Sequence, residues 1–420
     1  GRSRAALYFS DGFLFITGVL ASVLVVWTVW CFVSATTVPL HFPELRDFEY
    51  ADGYDLPELN FYDDPDLNYT IEAPVVEKWD EKRAAWLRQH PSFAAGARKR
   101  VLMVTGSQAT PCKNPVGDHL LLKLFKNKVD YCRRHGIDIF YNDVLLQPRM
   151  FSFWAKTPAV KAAMLAHPEA EWIWWLDSDA VITDMDFSLP LDRYESHNLV
   201  AHGWPSLVFD KKSWTSINAG VLLIRNCQWA MDFIDAWAAM GPQSPEYDKW
   251  GEIQRSIFAD KAFPESDDQA GLIYLLLKEN KKWGPKIYVE SEYYFEGYWL
   301  EIVGELDRIA AEYLKIQRAV PALRRRHAEK LSKSYAAAWE KHLKDKGYGR
   351  GSLRRPFVTH FTGCQPCSGE HNPMYPEKSC ADGLQKALTF ADDQVLRNYG
   401  YLHRDPLDPS TVVPLPFDYP

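Results

Sequence analysis

The chain has 420 residues, of which 47% are hydrophobic and 25% are charged. These fractions lie near those of globular proteins and exclude wholesale disorder, and the length allows one large domain or two moderate ones. The formal net charge of -7 is not that of a protein with a broad basic face, so we expect no nucleic-acid partner.

The segment from Phe13 to Val33 is predicted to anchor the chain in a membrane. It carries no charged residue and is long enough to cross a hydrocarbon core of roughly 30 Å as a helix. A cleaved signal peptide, with Ser34-Ala35-Thr36 near its cleavage site, is the alternative. Because Arg2 and Arg4 precede the segment and acidic residues follow it, the positive-inside rule predicts a type II protein with a cytosolic tail over residues 1–12.

Residues 34–85 are predicted to form a lumenal stem, and residues 86–420 the catalytic domain. Between Glu44 and Glu81 there are thirteen acidic and two basic residues, with scattered Pro and Gly, a composition typical of partly disordered linkers. The end of the stem, from Trp79 to Leu87, is predicted to be helical and to dock on the body. The sequon Asn68-Tyr69-Thr70 agrees with a lumenal location.

Six cysteines follow the predicted anchor, and six cysteines allow fifteen pairings. Cys364 and Cys367 are spaced as in zinc or redox sites, yet no second paired motif completes a zinc site. In a lumenal protein, disulfides or buried thiols are the favoured interpretation. The six are Cys112, Cys132, Cys227, Cys364, Cys367 and Cys380.

Strands alternate with helices in the first half of the body, which predicts an α/β doubly wound sheet. The first strand ends at the small-residue turn Thr105-Gly106-Ser107, above which a nucleotide would sit; any α/β sheet has such turns, so this alternative stays open. The predicted elements are a strand at Arg100–Thr105, a helix at Val116–Arg134 ended by Gly136, a strand at Ile137–Tyr141 and a helix around Val160–Leu165.

The central stretch of the chain is Trp172–Ala180, an apolar run that ends in Asp177-Ser178-Asp179. A run of this kind predicts a buried strand whose carboxyl end opens into a ligand-binding loop. Two carboxylates one residue apart suit a divalent Mn or Mg ion that also binds a diphosphate. Because turns are rich in Asp, Asp177-Ser178-Asp179 alone is a weak sign of a metal site. The adjoining buried strand and the polar residues Thr183–Asp186 that follow strengthen this interpretation.

Two further strands are predicted at Leu199–Trp204, which contains His202, and at Val221–Ile224. Between them lies Trp214–Gly220, whose Asn218 and Gly220 permit unusual backbone angles beside a ligand. Pro264–Gln269 then opens a helix that runs to about Lys278. Ser266 is a candidate cap there, and the two following Asp residues favour the helix dipole, which explains them without catalysis.

The last third of the chain combines a charged region with a candidate metal ligand. Residues 308–346, with Arg324-Arg325-Arg326-His327 inside them, predict a solvated helix, or alternatively a patch for phosphate or acidic glycans. Phe357–Gly363 predicts a strand that delivers His360 to a Gly turn. An imidazole at a strand end is either structural or a metal ligand.

Taken together, these motifs resemble plant glycosyltransferase family 34 from about Tyr62 to the carboxyl end. The resemblance implies a GT-A fold, and a Golgi type II enzyme that transfers a sugar with retention of configuration. The matching segments are Trp172–Asp179, Asp184-Met185, His202-Gly203-Trp204, Asn218-Ala219-Gly220, Arg225–Trp229, Asp267-Asp268-Gln269 and His360–Cys367.

The resemblance also implies roles for particular residues. Asp177 and Asp179 would engage Mn²⁺ and the diphosphate of the nucleotide sugar, and His360 would complete the metal site. Asp267, Asp268 and Gln269 would line the donor sugar near its reacting carbon. We also assign to the nucleotide-sugar site Ser178, Gly106, Asn218, Gly220 and His202.

Several segments resemble the galactomannan galactosyltransferases more than the xyloglucan xylosyltransferases. They include Phe263–Ser266 and Tyr293–Glu301, and Gln365 stands where the xylosyltransferases have Lys. The leading hypothesis is therefore transfer of galactose from UDP-galactose, in α-1,6 linkage, to a β-1,4-linked mannan. UDP-xylose transfer to xyloglucan is the alternative donor chemistry.

The sequence is also compatible with two other classes of function. One is a non-catalytic subunit of a polysaccharide synthase complex, which the full set of site residues argues against. The other is a metal-dependent phosphoesterase, disfavoured because two-metal hydrolases need more ligands. A homodimer, or a heterodimer with other Golgi glycosyltransferases, is compatible with the resemblance.

Overall fold

The computed structural model describes residues 22–28, 76–96, 99–324, 329–348, 354–368, 374–405, 407–416 and 419. The chain divides into two units, residues 1–54 and 55–420. In the first unit, residues 22–28 are helical. Among the residues that the structure describes, no helix is both long and apolar enough to cross a membrane. The rest of the predicted anchor, the cytosolic tail and the sequon at Asn68 lie outside the described residues.

The second unit is built on a six-stranded sheet with the order β2-β1-β3-β6-β5-β7. Strands β1, β2 and β3 are mutually parallel, as the sequence predicts. Strand β6 runs antiparallel to both of its neighbours, β3 and β5, while β5 and β7 are parallel. The strands are β1 Val101–Gly106, β2 Asp138–Asn142, β3 Trp172–Leu176, β5 Leu199–Gly203, β6 Ile217–Arg225 and β7 Ile287–Glu290.

The sheet is therefore mixed, and the doubly wound prediction holds for its first three strands only. Strand β6 follows β5 after a connection of thirteen residues, 204–216, that contains only short helical turns. Parallel neighbours usually need a helical crossover between them, whereas a direct return leaves the second strand antiparallel. The sequence shows both strands but not this reversal.

Nine α-helices of more than four residues lie in the part of this unit that the structure describes. The predicted helix before the second strand ends as expected, because Gly136 takes a left-handed conformation with φ of 65°. The helices are α1 Trp79–Gln89, α2 Gly117–His135, α3 Lys156–Ala166, α4 Gln228–Ala238, α5 Tyr247–Ile257, α6 Asp268–Lys278, α7 Leu306–Ala319, α8 Lys333–Asp345 and α9 Glu377–Leu396.

Helix α1 packs on the body through its first residue. Trp79 is fully buried, and its indole Nε1 donates to Oδ1 of Asn226 at 2.7 Å. Its backbone N–H donates to Oε1 of Gln228 at 2.6 Å. Helix α1 thus begins within residues 34–85, which the sequence assigns to the stem, and is docked on the sheet through Trp79.

Strand β3 is buried along its whole length. On one face, Trp174 packs edge-on against Tyr131, with ring centroids 5.7 Å apart, and stacks on Phe357 at 5.6 Å. At the amino end of the strand, the Arg225 guanidinium lies 4.3 Å from the ring centroid of Trp172. Burial on both faces explains why this strand is a continuous apolar run rather than an alternating one.

A second sheet of three strands continues directly from β3. It consists of β4 Ala180–Ile182, β9 Val358–His360 and β8 Gly297–Tyr298, in the order β4-β9-β8. Strand β4 pairs antiparallel with β9, so that Ala180 lies opposite His360. Strand β8 pairs parallel with β9, and Tyr298 lies opposite the same histidine. The predicted strand at His360 is confirmed, and Gly363 follows it with φ of 83°.

The charged region at 308–346 forms two helices, so the prediction of one solvated helix is wrong. Helix α7 ends at Ala319, and Pro321 begins a short 3₁₀ turn, because proline cannot continue the backbone hydrogen bonds of a helix. Trp339 of α8 stacks on Tyr313 of α7 with centroids 4.9 Å apart. Arg324 lies beyond the turn and donates to O of Gln317; residues 325–328 lie outside the described residues.

Two disulfides join Cys112 to Cys367 and Cys364 to Cys380. Cys364 and Cys367 thus pair with different partners rather than with each other, in agreement with the preference for disulfides over a zinc or redox site. Of the cysteines that the structure describes, Cys132 and Cys227 are free, and Cys132 is buried. A hairpin of β10 Tyr401–Asp405 and β11 Asp408–Pro414 follows α9.

Candidate metal and donor site

The carboxylates of Asp177 and Asp179 meet the imidazole of His360 where β3 passes into β4. Nε2 of His360 lies 3.2 Å from Oδ1 of Asp179 and 3.8 Å from Oδ2 of Asp177. One ligand atom from each residue lies within 4.8 Å of the others. The loop is held by its backbone, because N of Asp177 donates to O of Gly220 and N of Phe361 donates to O of Asp179.

The imidazole of His360 is oriented by neighbours on its other side. Nδ1 lies 3.3 Å from Oε1 of Glu296 and 3.1 Å from Oγ1 of Thr362. Burial opposes protonation, but Asp179 and Glu296 raise the pKa of His360 well above its usual value. Partners of this kind fix the ring orientation of a metal-binding histidine and leave Nε2 directed at the ion.

The Asp179 carboxyl group has a pKa below its usual value. Burial alone would raise this pKa. The neighbouring His360 and Lys128 have the opposite effect, and the pKa is lowered overall. The group is therefore a carboxylate at neutral pH. Two carboxylates and one imidazole form a donor set suited to a divalent cation.

Gly220 provides the space in which these side chains meet. A Cβ atom at this position would lie 2.3 Å from Cε1 of His360 and 2.7 Å from Oδ2 of Asp177. Residues 218–220 lie within β6, whose register with β5 is interrupted between Asn218 and Leu222, and Gly220 has no positive φ. Close approach explains the glycine, and Asn218 supports it by accepting the N–H of Gly220 at 2.7 Å.

Lys156 is a site residue that sequence reasoning missed. Its side chain is 3% exposed, and its Nζ lies 2.6 Å from Oδ2 of Asp268 and 3.4 Å from Oδ1 of Asp177. It also donates to O of Ala219 at 2.8 Å. Burial alone would lower the pKa of Lys156. The carboxylates of Asp177 and Asp268 have the opposite effect, and the pKa of Lys156 is above its usual value. Nothing in the local sequence distinguishes this lysine from a solvated one at a helix start.

Lys128 holds the loop Asp177–Asp179 through backbone carbonyl groups. It is a second residue that sequence reasoning missed. The fully buried ammonium donates to O of Ser178 at 3.0 Å and to O of Ala180 at 2.7 Å. Burial lowers the pKa of Lys128 to about 7, although Asp179 and Asp177 oppose this shift. The carbonyl group of Ser178 is thus engaged with Lys128. A lysine in the middle of an amphipathic helix gives no sequence signal for this contact.

The Asp267-Asp268-Gln269 segment begins α6, and its members differ in what they contact. Asp267 is the N-cap, with Oδ1 accepting from N of Ala270 at 2.8 Å. The prediction that Ser266 caps the helix is wrong, because its hydroxyl donates instead to O of Met240. The preferred N-cap residue is the one whose side chain can reach the free N–H groups of the first turn.

Asp268 and Gln269 face β6 and the candidate metal ligands. Asp268 reaches Asp177 through the shared ion pair with Lys156, and burial raises the pKa of Asp268 to about 6, although Lys156 opposes this shift. The amide of Gln269 donates to O of Trp214 at 2.9 Å and accepts from N of Ala219 at 3.4 Å. Only two members of the predicted trio therefore contact residues next to the candidate metal ligands.

Gly106 lies on β1 and His202 on β5, two strands that are separated by β3 and β6 in the sheet. Val104 of β1 pairs with Trp175 of β3, which puts Gly106 at the level of Asp177, and a Cβ there would lie 2.0 Å from O of Asn142. Close pairing of β1 and β2 is thus a sufficient reason for this glycine. His202 is buried on β5 opposite Asn218.

Asp184 and Asp186, which the sequence assigns to the same polar loop, lie at the other end of β4. Arg355 is 3.8 Å from Oδ1 of Asp184 and 3.2 Å from Oδ2 of Asp186. Burial raises the pKa of Asp184 to about 6, against the opposing effect of Arg355. Their contacts are those of a buried ion-pair network and are separate from the candidate metal ligands.

Comparison with known proteins gives the family. The model of the galactosyl transferase GMA12/MNN10 family matches residues 97–371. Glycosyltransferase 6 of Arabidopsis thaliana is 57% identical over 422 residues, which cover 100% of this chain and 98% of that protein.

Two relatives carry more specific names. Galactomannan galactosyltransferase 1 of Cyamopsis tetragonoloba is 52% identical over 435 residues, covering 100% of this chain and 98% of that protein. The protein named probable xyloglucan 6-xylosyltransferase 3 of Arabidopsis thaliana is 41% identical over 384 residues, covering 89% and 76%. The predicted resemblance is confirmed: the chain belongs to the galactosyl transferase GMA12/MNN10 family, glycosyltransferase family 34, and is a glycosyltransferase.

Proposed function

We propose that the chain is a retaining galactosyltransferase of GT-A type, which transfers galactose from UDP-galactose in α-1,6 linkage to a β-1,4-linked mannan backbone. The observation that carries this proposal is the cluster of Asp177, Asp179 and His360 at the end of the central strand, joined through Lys156 to Asp268. A cation site beside a buried carboxylate is what transfer from a sugar diphosphate needs.

The cation that we propose for this cluster is Mn²⁺, held by the two aspartates and His360. The donor set fits, and Gly220 leaves room for the three side chains to converge. When bound, such an ion stabilises the negative charge that develops on the departing diphosphate. The remaining coordination positions would be taken by oxygen atoms of the donor.

In the proposed reaction, the bond between the sugar anomeric carbon and the UDP oxygen breaks, and a bond to the acceptor O6 forms. The sugar becomes cation-like, and Asp268 is the buried carboxylate next to the metal ligands that would support it, with Gln269 beside it. The proton of the acceptor hydroxyl goes to the departing UDP oxygen if attack is on the front face. A covalent intermediate on a carboxylate is the other route to retention.

The choice of galactose over xylose rests on the relatives. The galactomannan galactosyltransferase matches the whole chain at 52% identity, and the xylosyltransferase matches 89% of it at 41%. Gln365, where the xylosyltransferases are expected to carry Lys, lies one residue after the disulfide-bonded Cys364 and accepts from Ser368. A pocket for galactose must also hold the C6 hydroxymethyl group that xylose lacks.

We also propose that the protein works in the Golgi membrane, as a single-pass type II protein with a lumenal catalytic domain. The charge-free segment from Phe13 to Val33 supports an anchor. The disulfides Cys112–Cys367 and Cys364–Cys380 support an oxidising compartment. Epitope tagging of both ends, with protease protection of isolated membranes, would test this orientation.

The experiment that tests the function is a matrix of donors and acceptors with the purified full chain and Mn²⁺. UDP-galactose and UDP-xylose are each combined with β-1,4-mannan and β-1,4-glucan oligosaccharides. We expect transfer with UDP-galactose and mannan oligosaccharides, giving α-1,6-linked branches by NMR. Preferred use of UDP-xylose on glucan would establish the alternative activity, and neither transfer nor donor hydrolysis in any combination would favour a non-catalytic subunit.

The variant Gln365→Lys tests whether this residue helps to select UDP-galactose over UDP-xylose. We expect the ratio of kcat/KM for UDP-xylose to that for UDP-galactose to rise, because a cation is restored where the xylosyltransferases are expected to have one. Gln89→Lys adds the same charge at an exposed position on α1 and should leave the ratio unchanged. An unchanged ratio in Gln365→Lys would remove this residue from the argument about the donor.

A further inference from the structure

The carboxylate of Asp267 is turned into the protein and away from the metal ligands. Oδ1 accepts from N of Ala270 at 2.8 Å and from the indole Nε1 of Trp214 at 3.2 Å. Oδ2 lies 3.0 Å from Nζ of Lys261, whose side chain is fully buried. Asp267 itself is 2% exposed. Both oxygen atoms are thus already engaged with the protein.

The partners of Asp267 form an aromatic cluster. The ring of Trp214 meets the ring of Phe263 edge-on, with centroids 5.5 Å apart. Lys261 lies 4.0 Å above the Phe263 ring and donates to the carbonyl oxygen of that residue at 2.7 Å. Phe153 also packs against Phe263, with ring centroids 6.3 Å apart. Asp267 therefore holds Trp214 directly and Phe263 through Lys261.

This cluster adjoins the donor site. The carbonyl oxygen of Trp214 accepts from the amide of Gln269, and the same amide accepts from N of Ala219. The carbonyl oxygen of Ala219 in turn accepts from Nζ of Lys156, the lysine that pairs with both Asp177 and Asp268. Trp214, Phe263 and Phe153 are all half-buried, so part of each ring remains available to a ligand.

We propose that Trp214 and Phe263 form the wall of the acceptor subsite, on which a sugar ring of the β-1,4-linked backbone stacks. Asp267 is then a positioning residue that holds this wall and does not touch the donor. The proposal rests on the proposed function. Its physical basis is that a β-1,4-linked hexose chain is uncharged and presents flat C–H faces, which pack on aromatic rings. The hydrogen bond from the Trp214 indole N–H to Asp267 fixes the indole ring at one edge.

Kinetics of four variants test this assignment. In Trp214→Ala we expect KM for the mannan acceptor to rise about tenfold or more, the effect of losing one stacked aromatic ring, while KM for UDP-galactose changes by less than about twofold. Trp214→Phe keeps a ring but loses the bond to Asp267, and should raise the acceptor KM by a smaller factor. Asp267→Asn should likewise raise the acceptor KM, whereas Asp268→Asn should lower kcat.

Folding must be separated from positioning, because Asp267→Asn leaves Lys261 buried without a counter-charge. The double variant Lys261→Met/Asp267→Asn removes both charges and should regain stability while keeping the raised acceptor KM. Trp86→Ala removes a half-buried indole from α1, whose ring packs on His90 and Phe93 rather than on Trp214 or Phe263. It should lower the melting temperature without changing the acceptor KM.

Two results would overturn the inference while the proposed function stands. In the first, the wild-type protein transfers galactose, but Trp214→Ala or Asp267→Asn raises the donor KM as much as the acceptor KM. The aromatic wall would then contact the donor sugar. The other is an unchanged acceptor KM in both variants. Failure of the wild-type protein to use any donor would instead overturn the proposed function.

Discussion

Nε2 of His360 lies 3.2 Å from Oδ1 of Asp179, although 181 residues separate them in the chain. The contact exists because β9 pairs with β4 so that His360 lies opposite Ala180. The small sheet thus brings an imidazole from near the carboxyl end of the chain to the two carboxylates that end the central strand. In a metal site, all three groups would act together.

Asp179→Asn is expected to lower transfer by about 10²–10³-fold, because it removes a charged ligand from the cation that stabilises the leaving diphosphate. The fold should persist, since the lost group lies at a loop and not in the apolar core. Initial rates against Mn²⁺ concentration, with melting curves, would measure both effects. Asp192→Asn is the matched control, because that aspartate is exposed and pairs only with the exposed Lys99 among the described contacts. Equal rates in Asp179→Asn and the wild type would contradict the metal assignment.

Metal affinity is expected to rise with pH. The pKa of His360 is raised by Asp179, so the stabilisation from this pair is fully present below the unfolded pKa of about 6.5 and is lost as pH rises through the folded value. A metal ligand must be the neutral imidazole, so cation binding releases the proton. We expect the increase in melting temperature caused by Mn²⁺ to be larger at about pH 8 than at about pH 6.

The control for this prediction is His360→Asn, which has no titratable group at the position. The difference between the wild type and the variant isolates His360 from the other groups that titrate in this range. A Mn²⁺-induced shift that is the same at both pH values in the wild type would show that His360 is not protonated in the metal-free protein, or is not a ligand.

Gly220→Ala is expected to weaken Mn²⁺ binding by about tenfold or more, since small displacements around metal ligands cost this much. The added Cβ would lie 2.3 Å from Cε1 of His360, and the ring must move. Isothermal titration with Mn²⁺ would measure the change. Gly304→Ala is the control, because a Cβ there meets nothing within 4 Å. Wild-type affinity in Gly220→Ala would mean that His360 does not need its present position.

Removal of one disulfide should destabilise the body without abolishing the site. The double variant Cys112→Ser/Cys367→Ser opens a link between residues 255 apart, and we expect the free energy of unfolding to fall by about 2–4 kcal/mol. Denaturant unfolding would measure it. Cys227→Ser, at a half-buried free thiol, should cost about 1 kcal/mol or less. The idea fails if the two variants lose the same amount.

Local patterns in the sequence were enough for the elements that first suggested the site. The apolar run of β3, the turn Asp177-Ser178-Asp179 after it, and the end of α2 at Gly136 all follow from signals spread over a few residues. The strand that carries His360 was found in the same way. Such signals are readable because periodicity and terminating residues act on the backbone where they occur.

Tertiary structure alone decided which of these residues meet. The direction of β6 brings Gly220 against His360, Lys156 joins Asp177 to Asp268, and the cap of α6 is Asp267 rather than Ser266. Each depends on contacts between strands and helices far apart in sequence. The order and direction of strands are set by packing of the whole sheet, and a buried lysine acquires its role only from the carboxylates that folding places around it.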